Sequence, residues 1–408
     1  MAGPGAGGEC DGLLGEARAL LPGLVAVRRE LHRAPELGRH LPRTQRTVLE
    51  ALDGLGLTIG TGDRLSSVTA VLDGARPGPS VLLRADMDAL PQQEDTGLEF
   101  ASDVTGAMHA CGHDLHTAML VGAARLLAAR RSGLPGRVVF MFQPAEEAGG
   151  GAQVMIDEGV LDTPDGSGVA AAFALHVTTR FESGTVHLRP GPMLAASDLV
   201  HLTVRGRSGH ASAPHLALDP VPVACEIVQA LQTMVTRTVH VFDPAVVTVA
   251  SIRAGSTTNI IPETAELHGT LRTLTPETRH NVREGIARVA HHVAAAHGAA
   301  VDVELTEGYP PVLNDPAVTG VLRETAARLL GDDRVRHLPE PVMGAEDFSY
   351  VLRRVPGAMA FLGARPPDVP AEAAPDCHSN RVVFDEPAMA TGAALHAAAA
   401  LRFLSGGA

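Results

Sequence analysis

The densest group of side chains able to bind a metal ion lies in MHACGHDLH, residues 108–116. Cys111 and His113 are separated by one glycine, so a bend at Gly112 can turn a thiol and an imidazole toward the same ion. Thiolate and imidazole ligands suit zinc or another borderline transition metal. The alternative is a buried cysteine among surface histidines. The density of further polar side chains in the segment favours the metal site: His109, Asp114 and His116.

Two adjacent acids, Glu146 and Glu147, follow the apolar run RVVFMF at residues 137–142. In α/β sheets, ligands bind beyond the carboxyl ends of the strands. Neighbouring carboxylates repel each other unless a cation or a shared proton separates their roles. One acid can bind a metal while the other acts as a general base toward water. An exposed acidic first turn of a helix, stabilised by the helix dipole, explains this motif equally well.

Further candidates lie where other apolar runs end. Asp86 and Asp88 lie at the end of the run that begins at Ser80, His176 ends VAAAFALH, and His378 lies in the polar loop PDCHSN. A lone histidine is more often structural than a ligand. A parallel sheet, however, gathers the carboxyl ends of its strands at one edge. The combination therefore predicts one shared site.

The middle of the chain contains three residues that can contact a substrate. His210, in GRSGHASAPH, follows a glycine at the end of a predicted strand and can reach a neighbouring active site. Asn259 and Arg272 can bind a substrate carboxylate, because arginine presents a planar fork of donors. A surface arginine on a strand explains Arg272 almost as well.

The elements that position these residues form two patterns. In the first, short β-rich apolar runs alternate with amphipathic helical stretches, which predicts an α/β layer with a largely parallel sheet. The predicted strands of this layer are 67–72, 80–87, 137–142 and 169–177, and the predicted helices are 13–31 and 117–131. The same pattern resumes near the end, with a helix at 316–330, a strand at 358–364 and a helix from Pro387.

Between these parts the order of elements is β-α-β-β-α-β, which is typical of a ferredoxin-like sandwich. Its predicted strands are 199–206, 245–255, 264–274 and 299–308, with helices at 219–235 and 276–297. The sequence therefore predicts a catalytic domain built from residues 13–195 and 310–408, interrupted by an inserted domain at 196–309.

Composition excludes several classes of function. The chain has 33 basic and 46 acidic residues and a net charge of −13, which disfavours binding to nucleic acid or to an anionic membrane. Every basic residue is arginine, so Schiff-base, P-loop and kinase chemistry that needs lysine is excluded. The 4 scattered cysteines, the lack of a long apolar run and the absence of a signal-peptide pattern predict a cytoplasmic protein. The first dozen residues, rich in glycine and proline, are predicted to be disordered.

Taken together, these motifs resemble the dinuclear-metal aminoacylase and carboxypeptidase family. Within it they resemble the amidohydrolase subgroup of hippurate hydrolase, the indole-acetyl-amino-acid hydrolases and N-acetyl-diaminopimelate deacetylase. The resemblance covers nearly the whole chain after about Leu24. It is carried by RRELHRAPELG, LLRADMDALP, MHACGHDLHTAML, FQPAEEAGGGA, SGHASAPHLALDPV, NIIPETAELHGTLR, MGAEDFSYVL and CHSN.

The resemblance implies a role for each catalytic-domain candidate. Glu146 matches the general base that takes a proton from the attacking water and delivers it to the leaving amine. Asp88 matches a carboxylate that orients a neighbouring ligand. Asp86 stands where other branches carry a metal-binding histidine and is not counted as a ligand. Five residues match the metal ligands, with the thiolate bridging two ions: Cys111, His113, Glu147, His176 and His378.

The resemblance also implies that His210 stabilises the tetrahedral oxyanion, often across a dimer, and that Asn259 and Arg272 bind the substrate carboxylate. We therefore expect a metal-dependent amidohydrolase that cleaves N-acyl amino acids. It would use two divalent ions per chain, manganese or zinc, with cobalt and nickel as alternatives. A homodimer formed through the inserted domain is also expected.

Two other functions stay open from sequence. One is a dipeptidase or carboxypeptidase with the same site, and the other is a catalytically silent amino-acid-binding relative. The intact Glu146 argues against the second. Departures from the subgroup pattern leave the preferred substrate open, notably the segment GRHLPRT at 38–44, Ala345 in MGAEDF and Cys377 before the ligand histidine.

Overall fold

The computed structural model describes residues 12–406 of the 408-residue chain. Apart from Gly12, the segment predicted to be disordered lies outside the described residues. The chain divides into two compact units. The first extends to Gly191 and also includes Leu313–Pro339 and the residues from Tyr350 onward. The second comprises Pro192–Val312 and Glu340–Ser349.

The elements follow the chain in this order. Up to residue 188 they are α1 Leu13–Arg33, α2 Pro42–Leu52, β1 Thr58–Thr61, β2 Val68–Asp73, β3 Arg76–Asp86, α3 His113–Ala128, β4 Pro135–Gln143, α4 Gly151–Asp157, β5 Ala171–Glu182 and β6 Val186–Leu188. The middle of the chain forms β7 Gly191–Leu194, β8 Ala196–Arg205, β9 Gly209–His210, α5 Pro220–Thr238, β10 Ala245–Ala254, β11 Ile260–Ile261, β12 Thr264–Thr273, α6 Pro276–Ala296 and β13 Ala300–Glu307. The last part forms β14 Val312–Asn314, α7 Pro316–Leu330, β15 Val335–His337, α8 Ser349–Leu352, β16 Gly357–Arg365 and α9 Ala388–Leu404.

The first unit is built on an eight-stranded mixed sheet with the order β1-β2-β4-β3-β5-β16-β6-β15. Its four central strands, β4, β3, β5 and β16, run parallel to one another. Helices α1, α3 and α9 pack together and share the main hydrophobic core with these strands. The alanine-rich α9 is buried along nearly its whole length, because small side chains allow close helix packing. This architecture confirms the predicted α/β class with a largely parallel sheet.

The second unit contains a four-stranded antiparallel sheet with the order β10-β12-β8-β13. Its core joins the buried residues of these strands to the apolar faces of α5 and α6. In β12, Ala265, Leu267 and Leu271 are buried among core residues, whereas the alternate positions lie on the opposite, open face. The order β-α-β-β-α-β and the strand arrangement confirm the predicted ferredoxin-like fold.

Two smaller features complete the description. Strands β9 and β11 form a separate two-stranded ribbon, in which His210 pairs with Ile260. Within residues 12–406, no helix combines the length and the apolar character needed to cross a lipid bilayer.

Candidate metal centre

A tight turn at Gly112 positions the first two candidate ligands. Gly112 precedes α3 and has a φ of 81°, in the left-handed region that glycine adopts without strain. A Cβ atom at this position would lie 2.3 Å from Cγ2 of Val177. The turn therefore requires glycine, and it places Cys111 before the helix and His113 in its first turn.

The thiol of Cys111 is shared by two groups of donor atoms. Its Sγ lies 3.4 Å from Nε2 of His176 and 3.3 Å from Nε2 of His378. One group joins Cys111 to His113 and His176, and the other joins Cys111 to Glu147 and His378. Within each group the donor atoms lie within 4.8 Å of one another. The structure thus brings together all five residues predicted as metal ligands, with one sulfur common to both groups.

Main-chain carbonyls fix the tautomers of two of these histidines. Nδ1 of His113 donates to the carbonyl oxygen of Asp88 at 2.8 Å, and Nδ1 of His176 donates to that of Val177 at 2.7 Å. Since a carbonyl oxygen only accepts, Nδ1 keeps a proton, and in the neutral ring Nε2 carries the lone pair that a metal requires. Both imidazoles are therefore prepared as metal ligands.

His378 reaches the centre from a loop held in an uncommon conformation. Its φ is 70°, a value that residues other than glycine rarely adopt. Its amide donates to the carbonyl oxygen of Ala110 at 2.8 Å, which ties the loop to the segment that carries Cys111. Strain of this kind persists where the surrounding structure enforces it and is concentrated at functional sites.

The carboxylate of Asp88 holds the loop that carries the two adjacent acids. One oxygen accepts from the amide of Glu146 at 2.9 Å and the other accepts from the amide of Glu147 at 3.1 Å. Asp88 therefore positions Glu147 through its side chain and His113 through its carbonyl oxygen. Glu146 is only 6% exposed, and the next helix begins at Gly151, so an exposed acidic first turn is not the explanation of this motif.

Asp86 and His116 lie beside the centre but are occupied by other partners. Asp86 binds Nδ1 of His116 at 2.6 Å through one oxygen and Nη1 of Arg84 at 2.6 Å through the other. Nε2 of His116 accepts from the amide of Val177 at 2.8 Å. Both ring nitrogens of this histidine are used within the fold, which makes it a poor ligand.

The remaining polar residues of the 108–116 segment are structural. Asp114 accepts from Nε of Arg28 at 2.9 Å and contacts Nδ1 of His32 at 2.8 Å, away from the thiol. His109 is buried, and its ring forms no hydrogen bond with any residue in the described part of the chain. Sequence reasoning missed the role of Arg28 and His32, although both lie in the RRELHRAPELG motif.

The position of His176 differs from the prediction in one respect. It lies in the middle of β5, which continues to Glu182, and not at the end of a strand. The pairing with β3 ends at Ala174, whereas the pairing with β16 continues beyond His176. This histidine therefore lies just past the paired part of β3, level with the last residue of that strand, where the other candidate ligands meet.

The electrostatics of the centre favour a cation. Burial lowers the pKa of His113, but the charges of Asp86, Asp88 and Glu147 outweigh it and raise this pKa to about 10. A hydrogen bond with Cys377, burial and the charge of Glu147 raise the pKa of the Cys111 thiol well above its usual range. Bound divalent ions would take the place of these protons, because metal ligands must be deprotonated.

The residues present also fit a metal by their donor chemistry. Nε2 of His113 is buried and forms no hydrogen bond with a residue of the 12–406 range. This nitrogen is therefore available to bind a metal ion. A thiolate, three imidazoles and a carboxylate suit zinc, manganese, cobalt or nickel.

In the second unit, the ribbon of β9 and β11 places His210 and Asn259 next to each other. Nδ1 of His210 accepts from the amide of Ser212 at 3.0 Å, so the neutral ring carries its proton on Nε2 and can donate from there. The amide of Ala211 donates to the carbonyl oxygen of Asn259 at 3.1 Å. Both His210 and Asn259 are exposed.

Arg272 lies on β12 at a position on the open face of the sheet, opposite Ser197 and Val246. Its side chain is half-buried, and burial lowers its pKa. Among the described residues it has no hydrogen bond or ion pair. A partly desolvated guanidinium of this kind is suited to an anionic ligand.

Comparison with known protein families gives one match that spans most of the chain. Residues 82–402 match the family described as peptidase family M20/M25/M40. The matched range includes all five candidate metal ligands as well as Glu146 and Asp88.

Curated relatives and solved structures agree with this match. The chain is 37% identical to thermostable carboxypeptidase 1 of Saccharolobus solfataricus, over 96% of this chain and 98% of the relative. It is 41% identical to N-acetyl-L-cysteine deacetylase of Bacillus subtilis, over 83% of this chain and 80% of the relative. The Bacillus subtilis YXEP protein, a dinuclear metal binding peptidase, has a similar structure, with a TM-score of 0.83, 34% identity and coverage of 95% and 99% of the two chains.

Proposed function

The chain belongs to peptidase family M20/M25/M40 and is a metal-dependent hydrolase, and from this premise we propose that it cleaves the amide bond of N-acyl amino acids. The products would be a carboxylic acid and a free amino acid. The family confirms the resemblance identified from the sequence motifs. The substrate class is supported by the relative named N-acetyl-L-cysteine deacetylase.

The observation that carries the proposal is the position of Glu146 beside the two donor groups. Its neighbour Glu147 belongs to one group, and His113, Glu146 and Glu147 have donor atoms within 4.8 Å of one another. The amide of Glu146 is fixed by Asp88. A nearly buried carboxylate at this position is placed to act as a base at the centre, whereas a binding protein has no need of one.

We propose that two divalent ions are held in this centre. Cys111, His113 and His176 would bind one, and Cys111, Glu147 and His378 would bind the other. When bound, the ions polarise the amide carbonyl and make water more acidic. Manganese or zinc is the expected metal, with cobalt or nickel as alternatives.

One side chain of the protein carries out the proton transfers, and a second side chain holds it in place. Glu146 accepts a proton from the attacking water and delivers it to the nitrogen of the leaving amine. Asp88 keeps the Glu146–Glu147 loop in place through its two hydrogen bonds to main-chain amides. A base at a fixed position typically contributes a factor of about 10²–10⁴ to the rate.

We further propose that the inserted unit supplies substrate-binding groups. Nε2 of His210 would donate to the oxyanion of the tetrahedral intermediate, and the Ser212 contact supports the required tautomer. Arg272 and Asn259 would bind the substrate carboxylate. The half-buried guanidinium without an ion-pair partner among the described residues supports this role for Arg272.

One alternative is favoured by a specific observation. The carboxypeptidase of Saccharolobus solfataricus is 37% identical over nearly the full length of both chains. A dipeptide or peptide substrate has the same scissile amide and the same terminal carboxylate as an N-acyl amino acid. The catalytic centre is therefore suited to both, and only rates on the two substrate classes separate these functions.

The test is amine release from N-acetyl and N-benzoyl amino acids and from dipeptides, with added manganese or zinc and with a chelator. We expect the acyl amino acids to be hydrolysed fastest and the activity to disappear with chelator. Glu146→Gln should reduce kcat by about 10²–10⁴-fold while leaving the metal content unchanged. The exposed Glu324→Gln serves as the matched control.

Two outcomes would contradict the proposal. Faster hydrolysis of dipeptides would favour the peptidase alternative. Full activity of Glu146→Gln would remove Glu146 from the mechanism, and the absence of any hydrolysis with two ions bound would favour a silent binding protein.

Assembly and cellular location are also proposals. We propose a homodimer formed through the inserted unit, supported by β10, which lies at the edge of its sheet and exposes Val246 and Ile252. Gel filtration with light scattering tests this. A cytoplasmic location is supported by the three described cysteines, none of which forms a disulfide: Cys111, Cys225 and Cys377.

A further inference from the structure

The open face of the four-stranded sheet in the second unit carries two adjacent histidines. His201 of β8 and His268 of β12 are direct partners in the antiparallel register. Their rings are stacked, with centroids 4.3 Å apart and planes inclined by 15°. The pair therefore places two imidazole rings side by side on this face.

The Nε2 atoms of both rings are unused within the fold. Each is shielded from solvent, and neither forms a hydrogen bond with any residue described by the structure. The side chains themselves stay partly exposed, at 38% for His201 and 41% for His268. Each ring can therefore rotate toward a ligand approaching from solvent without disturbing the core on the other face.

Two carboxylates accompany the histidines. Glu266 lies two residues before His268 on the same face of β12, with Oε2 3.6 Å from Nε2 of His268. Glu304, the register partner of His201 on β13, has Oε2 3.7 Å from Nδ1 of that ring. A carboxylate near Nδ1 favours the tautomer in which Nε2 has the free lone pair, as in many metal sites. The next acid along β13, Asp302, is already paired with Arg205.

We propose that His201, Glu266 and His268 form a metal site on this face, additional to the centre in the first unit, and that it takes a borderline divalent ion such as Zn²⁺. The three donor atoms lie within 4.8 Å of one another. Zinc bonds to nitrogen and oxygen are about 2.0–2.2 Å long, so modest side-chain rotations bring these donors to one ion. Two imidazoles and a carboxylate are a common zinc ligand set, with a further position open to water. The site goes beyond the proposed hydrolase function and does not depend on it.

The test measures the number of zinc ions bound by the full-length protein after chelator treatment, zinc reconstitution and dialysis. We expect the double variant His201→Ala with His268→Ala to bind one ion fewer than the wild type. Glu266→Gln should weaken binding at this site by at least about tenfold. His292→Ala, an exposed histidine on α6, is the matched control and should retain the wild-type ion count.

A second arm keeps this site separate from the catalytic centre. Cys111→Ala removes the thiol shared by both donor groups there and should leave the additional site intact. With Co²⁺ this variant should give absorption typical of nitrogen and oxygen ligands without a thiolate charge-transfer band. Combining Cys111→Ala with His201→Ala and His268→Ala should remove the part of this absorption that comes from the additional site. Melting temperatures in chelator identify any variant that fails to fold.

Equal zinc counts in the wild type and the double histidine variant would overturn the proposal. An equal loss in His292→Ala would also overturn it, since it would indicate adventitious binding to surface histidines.

Discussion

His32 is a buried histidine with a carboxylate on each ring nitrogen. Nδ1 lies 2.8 Å from Asp114, and Nε2 lies 3.2 Å from Glu94. Burial lowers the pKa of His32, but the charge of Asp114 and the hydrogen bonds to both acids outweigh this and raise it to about 9. The imidazolium therefore belongs to the folded state at neutral pH, and it ties α1 to the first turn of α3.

This network predicts a specific dependence of stability on pH. Because the pKa of His32 is about 9 in the folded protein and 6.5 ordinarily, its contribution is complete below pH 6.5 and is lost as pH rises through 9. We expect the wild type to lose roughly 1–3 kcal/mol of unfolding free energy over this interval. Denaturant unfolding in chelator at pH 6, 7.5 and 9 measures it.

The variant His32→Gln should be less stable than the wild type at pH 6 and should show a weaker decline toward pH 9. The exposed His40→Gln provides the control and should follow the wild type. Parallel pH curves for the wild type and His32→Gln would contradict the prediction.

At the scale of residues, the sequence identified the ligand candidates but could not separate them from similar neighbours. Cys111, His113 and Asp114 lie in one short segment, and all three are residue types that can bind a metal ion. Only the fold shows that Asp114 is paired with Arg28, which is 86 residues away along the chain. Partners of this kind come from distant elements, so residue type and spacing alone cannot reveal them.

At the scale of elements, the turn before α3 depends on a single glycine. A side chain at Gly112 would have to adopt a φ of 81° and would meet Val177 at 2.3 Å. We expect Gly112→Ala to cost at least about 1–3 kcal/mol of stability and to weaken metal binding, because Cys111 and His113 would both move. Thermal unfolding and metal titration measure the two effects.

Gly320 in α7 provides the matched comparison. An added Cβ there has no atom within 4 Å, and the position is helical, so Gly320→Ala should stabilise the protein by about 0.4–1 kcal/mol. Equal stabilities of the two variants would show that the Gly112 turn is not strained by a side chain.

Periodicity predicted most elements well, because each helix and strand has one face in a core. The predicted helix 316–330 coincides with α7, and the predicted order of the inserted unit is the observed one. The extension of β5 beyond His176 was missed. It is stabilised by pairing with β16, almost 200 residues later, and a partner at that distance leaves no local signal.

At the scale of the whole molecule, the candidate metal centre connects distant parts of the chain. Cys111 and His378 are 267 residues apart in sequence, yet their donor atoms are 3.3 Å apart. Ions that bind only the folded state stabilise it by mass action, about 2.7 kcal/mol when the free metal is 100 times its Kd. We therefore expect chelator to lower the melting temperature and added zinc or manganese to restore it.

Cys111→Ala is the control for this prediction, since the loss of the shared thiol should make the melting temperature far less sensitive to chelator. The measurement is a zinc titration in which calorimetry records the melting temperature at each zinc concentration. A wild-type melting temperature that does not respond to chelator would argue against ions that stabilise the fold.

The separation between Cys111 and His378 in sequence also determines when, during synthesis of the chain, the candidate metal centre can form. During synthesis on a ribosome, three of the four segments that meet at the centre are translated before the inserted unit, and the last arrives only with residue 378. Helix α9, which completes the core beneath them, follows even later. A growing chain therefore cannot bring all five candidate ligands together until residue 378 has been synthesised.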